Sequence, residues 1–109
     1  MVLRGRVADA PQWFELRDGS RVVAFDLVIP TVAGRELTPV SWFGPPPWVS
    51  ELVAGDELVV HGKVRKRFVA SGATRRPFTD VVAHEVQRAS RRRGVDQLLA
   101  RAASQLTSP

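Results

Sequence analysis

The chain has 109 residues, 44% of them hydrophobic, with no cysteine and a formal net charge of +5. That length supports one domain with an ordinary core, and the missing thiols exclude zinc ribbons, thiol catalysis and disulfide frameworks. No apolar run reaches membrane-spanning length and no signal-peptide core opens the chain, so no membrane association and a cytoplasmic location are expected.

Residues 2–8 alternate, with Leu3, Gly5 and Val7 on one side and Val2, Arg4 and Arg6 on the other, as in a half-buried strand. Ala10 and Pro11 interrupt it, Trp13 to Leu16 extends again, and Arg17-Asp18-Gly19-Ser20 signals a hairpin turn. The next strand, over 21–29, turns Val23, Phe25, Leu27 and Ile29 to one face. After a short loop over 30–34, residues 36–43 form another, in which Thr38, Val40 and Trp42 oppose Leu37, Pro39, Ser41 and Phe43. Pro39 cannot donate to a ladder, so an irregularity or an edge is expected there. Gly44 and three prolines end that strand. A short helix through Trp48, Val49, Leu52 and Val53 follows, closed by Gly55.

Residues 56–69, DELVVHGKVRKRFV, read as one long strand with two chemistries. Leu58, Val60, Gly62 and Val64 share one face; Val59, His61, Lys63, Arg65 and Arg67 share the other. A loop at 70–73 leads to Arg75 and Arg76, and no acidic residue stands between Leu58 and Thr79. A last strand spans 77–86. Five strands with a helix between the third and fourth long ones describe an all-β OB-fold, a small Greek-key barrel. It should occupy residues 1–88. A basic hinge at 89–94 then leads to an amphipathic helix over 95–106, whose Val95, Leu98, Leu99, Ala102, Ala103 and Leu106 form an apolar stripe. Such a short helix is marginal alone; it should dock on the barrel or on a neighbouring subunit, and we read it as an oligomer contact.

Charge is distributed unevenly. Through Arg88 there are 12 Lys and Arg against 10 Asp and Glu, and beyond it 4 against 1. The body is nearly balanced, with its cations gathered on the hairpin of the basic strand, and the excess favours an anionic partner.

The order and spacing of several segments resemble the bacterial single-stranded DNA-binding protein family across residues 2–88. They are Gly5-Arg6-Val7 to Pro11, then Gly19, Val22 and Phe25-x-Leu27; Val40-Ser41-Trp42-Phe43-Gly44; Gly55-Asp56-x-Leu58-Val59-x-x-Gly62-Lys63-Val64-x-x-Arg67; and Thr79-Asp80-Val81-Val82-Ala83-x-Glu85-Val86. The resemblance implies an OB-fold, sequence-tolerant binding of single-stranded DNA in replication, recombination or repair, a nucleoid-associated location, and a homo-oligomer, tetramer or dimer. Departures are present. The family's second aromatic falls near Val69, with Phe68 adjacent. Leu37 stands where another aromatic is common, and the loop at 31–35 has none. The chain closes on QLTSP, so recruitment of partner proteins by an acidic tail is not expected.

Binding without sequence preference needs aromatic faces for bases and a cationic groove for phosphates. Phe43 is the first stacking candidate, and Phe68 is open between stacking and barrel closure. Lys63, Arg65 and Arg67 are the phosphate candidates, with Arg75 and Arg76 at the hairpin tip. Arg6, with Arg4, either joins the groove or builds the dimer contact that the resemblance places on the first strand. Trp13, Trp42 and Trp48 read as core. His61 and His84 read as rim residues, with no metal or cofactor pattern around them. No nucleophile-base set, phosphate loop or carboxylate pair stands in a convincing context, so no enzyme is expected. The competing readings are a protein-interaction module of a primosome-like kind and an RNA binder.

Overall fold

The computed structural model describes residues 1–107. Six strands form: β1 (Val2–Val7), β2 (Gln12–Glu15), β3 (Arg21–Thr31), β4 (Gly34–Phe43), β5 (Glu57–Ser71) and β6 (Thr74–Arg88). A short 3-10 helix covers Pro47–Glu51, and α1 covers Arg92–Thr107. The strands pair in the order β1-β5-β6-β4-β3-β2, and β1 also pairs with β3, which closes the sheet on itself. Because β1 and β2 both pair with β3, Val7 opposite Leu27 and Gln12 opposite Ala24, they act as one barrel strand broken by a bend within residues 8–11. The pairing of β4 with β6 is parallel; the other pairings are antiparallel. A closed five-stranded barrel of this order, with a helical turn between its third and fourth strands, is an OB-fold.

Alternation builds the core. Phe25 and Leu27 from β3, Val40 and Trp42 from β4, and Leu58 and Val60 from β5 point into the barrel and are buried. Two glycines let the strands close. A Cβ on Gly5 would lie 2.6 Å from the Val28 carbonyl oxygen, where β1 meets β3. One on Gly62 would lie 2.5 Å from the Val82 carbonyl oxygen, beside the bulge at which the β5–β6 register shifts between His61 and Gly62.

Several expectations change. The helix after β4 is a single 3-10 turn. Leu52 has already left it in an extended conformation (φ −66°, ψ 135°), and Val53 is exposed. Trp48 nevertheless packs, partly buried, against the core with its ring edge-on to Trp42 at 5.9 Å, and Val49 and Leu52 are buried beside it. Strands β3 and β4 run almost to the turn between them, and β5 and β6 likewise, so both loops are shorter than expected. Pro39 stands one residue before β4 begins pairing with β6 at Val40, which leaves its nitrogen at a free edge.

The C-terminal helix starts at Arg92 and takes in the second half of the expected hinge. It lies on the outer face of β5 and β6. Leu98 is wholly buried and Ala102 nearly so, together with Val59 and His61, which alternation turns away from the barrel interior. Arg101 forms a bidentate pair with Glu85 of β6 and fixes the helix along the strand. The stripe read as an oligomer contact is therefore divided. Leu98 and Ala102 are used within the chain, while Leu99 and Leu106 stay exposed. Leu98→Ala should lower stability in urea denaturation by roughly 2–4 kcal/mol, the usual loss for a buried leucine. A loss below about 1 kcal/mol would mean that the docked helix adds little to the fold.

Candidate nucleic-acid interface

Beyond the parallel pairing of Val40 with Val81, the remainder of β6 toward its turn pairs with β5 alone. The two strands leave the barrel there as an arm. Register sorts the arm's side chains into two sets. Arg65 opposite Asp80, Arg67 opposite Phe78 and Val69 opposite Arg76 share one face; Phe68 and Arg75 lie on the other. The first face continues onto the outer face of β4 and β3, where Ser41 and Phe43 stand. The cationic row read from the sequence is thus shortened at its start, since α1 covers Val59 and His61. It begins at the exposed Lys63.

Arg65 is not a free cation. Its Nε and Nη2 donate to Asp80 Oδ1 and Oδ2 at 3.0 and 2.7 Å, and the Ser41 hydroxyl donates to Oδ2 at 2.9 Å. The Asp80 side chain has no exposed surface, whereas that of Arg65 is 32% exposed. Burial pushes the Asp80 carboxyl up, but the hydrogen bonds from Arg65 and Ser41 and the charges of Arg65 and Arg67 outweigh it and hold the group below the usual carboxylate range. Asp80 ends the acid-free stretch by one residue, and cross-strand pairing returns it to the middle of the basic row. Arg67 is 3.9 Å from the same carboxylate and half exposed, so its charge remains available at the surface.

Rings accompany the arginines. The guanidinium of Arg65 lies 5.7 Å from the centre of Phe43, that of Arg67 lies 5.2 Å from Phe78, and that of Arg75 lies 5.7 Å from Phe68. Phe43 is 45% exposed and Phe78 37%. Phe14 of β2 is 51% exposed and was not singled out in the sequence. Its register partner Val22 is itself opposite Phe43, so these rings flank a buried valine across three adjacent strands. The two are roughly 10 Å apart at two strand spacings. Phe14 could have been found from alternation, because Trp13 packs inward and its neighbour must then face out. Phe78 required the β5–β6 register.

Phe68 neither closes the barrel nor joins this platform. It is exposed on the far face of the arm, and the register shift that might have re-aimed it falls at His61 instead. Arg6 is on another flank, donating to the Gly55 carbonyl oxygen at 3.0 Å, next to the Arg4–Glu57 pair. Of the eight candidates, the fold brings Phe43, Lys63, Arg65, Arg67 and Arg76 to one face. It separates Phe68, Arg75 and Arg6 from them. His61 is buried rather than at the rim, its ring 5.6 Å from that of His84. Burial, then the N-terminal ammonium and His84, lower its pKa against the opposing pull of Glu85.

The N-terminal domain of PriB protein from Thermoanaerobacter tencongensis, whose solved structure is described as dimeric, superposes with a TM-score of 0.66. The match covers 82% of this chain and 93% of that one at 17% identity. The two share a fold. No family model matches the chain, and no curated protein matches it in sequence. No helix among the described residues is long and apolar enough to cross a membrane.

Proposed function

We propose that this chain is a binding module for single-stranded DNA, not an enzyme, and that it works as a homo-oligomer of the bacterial single-stranded DNA-binding type. The observation that carries the reading is the platform of Phe14, Phe43 and Phe78 on one outer face of an OB-fold, bordered by Lys63, Arg67 and Arg76. Exposed rings stack on any base, and the bordering cations track the backbone without reading sequence. The dimeric state described for the similar PriB domain supports an oligomer here as well. A role in replication, recombination or repair follows from the same motif resemblance.

Oligo-dT should bind better than duplex of equal length, with log affinity falling against log salt at about −0.7 per phosphate contacted. The Lys63→Ala/Arg67→Ala/Arg76→Ala variant should flatten that slope by roughly 2 if each cation meets one phosphate. Arg65 is left intact because its removal acts on folding. A fluorescence titration at two salt concentrations decides. Equal affinity for duplex, or an unchanged slope, refutes the reading. Competition with oligo-U separates DNA from RNA as the preferred strand.

A further inference from the structure

Between β2, β3, β4 and the root of the arm lies a groove of about 320 Å³, with Phe14 and Phe78 among its lining residues. Its other polar side chains include Gln12, Asp9 and Asp26. Of the nine other carboxylates, Asp56, Glu57, Asp80 and Glu85 each hold an arginine. Asp9 and Asp26 hold no ion pair and no side-chain hydrogen bond among the described residues. The one arginine that lines this groove among the described residues, Arg67, is turned to Asp80 and Phe78.

Two uncompensated carboxylates repel a phosphate chain at this range. A strand on the platform is therefore pushed so that its backbone follows Lys63, Arg67 and Arg76 while its bases enter the groove. An ionised carboxylate only accepts hydrogen bonds. Cytosine offers it an exocyclic amino group and adenine does the same, whereas thymine turns carbonyl oxygens toward it from either side of a single N–H. We infer that Asp26, with Asp9 beside it in the groove, makes the site prefer strands whose bases carry amino groups, cytosine over thymine in particular. This rests on the single-strand reading above and adds base selectivity to it.

The test compares oligo-dC with oligo-dT of equal length at mildly alkaline pH, where cytosine is unprotonated, using the full chain and its Asp26→Asn and Asp9→Asn variants. The unaltered protein should bind oligo-dC roughly fivefold or more tightly, the low end for a good base contact. In Asp26→Asn the ratio should fall toward one, because the amide both donates and accepts. Affinity for oligo-dT should rise at the same time, because a repelling charge is gone. Equal affinity of the unaltered chain for the two oligomers, or a ratio unmoved by both substitutions, overturns the inference and leaves single-strand binding standing. Binding of neither oligomer overturns both.

Discussion

Replacing Arg65 with Met is expected to destabilise the fold by about 3 kcal/mol at neutral pH, more than Asp80→Asn, at roughly 1–2 kcal/mol. The asymmetry follows from exposure. Losing the arginine strands a carboxylate that has no solvent-exposed surface, with the Ser41 hydroxyl and a more distant Arg67 for support. Losing the carboxylate strands a guanidinium whose outer edge already meets water, and the asparagine amide still accepts from it. A deeply buried pair broken in this way costs about 3–5 kcal/mol, and the wet edge places this one at the lower limit. The pH dependence distinguishes the variants further. Asp80 has a folded pKa below its unfolded one. Its contribution is complete above the unfolded value, about 3.9, and is lost as pH falls through the folded value. Without Arg65 the buried carboxyl should titrate higher than its unfolded value, so protonation relieves the folded state. The deficit of Arg65→Met relative to the unaltered chain should then shrink between pH 7 and pH 4 in urea denaturation, whereas a constant deficit would mean that the pair contributes no charge coupling.

That result also bears on what was legible in the sequence. The barrel was legible because period-two alternation in β1, β3 and β5 places Val7, Leu27 and Leu58 inward whatever their neighbours do, and the proline-glycine segment after Phe43 separates the two halves of the sheet. The site was only partly legible. Alternation assigns a residue to a face but not the strand across from it, so Asp80, fifteen residues beyond Arg65, could not be seen as its partner until β5 and β6 were set in register. The same blindness hid Phe78 opposite Arg67 and left Phe68 undecided. Two further losses have another cause. His61 reads as exposed because a polar side chain on the outward face of a strand usually meets solvent, yet α1 returns from thirty residues later to cover that part of the sheet. The 3-10 turn stops at Glu51 because Leu52 is extended and buried in the barrel core from outside the turn, a tertiary contact that its helical spacing from Trp48 and Val49 obscured.

The rings supply the other large effect. Phe43→Ala and Phe78→Ala should each weaken oligo-dT binding between roughly fivefold and a hundredfold, the range for one lost stacking partner. If the two rings meet different bases, the double variant should lose the product of the two factors. The salt slope should stay unchanged throughout, since no phosphate contact is removed. Phe68→Ala is the internal control. Phe68 is the most exposed of these phenylalanines and also lies near an arginine, but on the opposite face of the arm. A strand confined to the platform should ignore its loss, leaving affinity within about twofold. Equal losses for Phe68 and Phe43 would instead mean that the strand wraps the arm, so that both of its faces bind. Losses at none of the three would mean that the cations hold the strand without stacking, and the platform would then lose its place in the proposal.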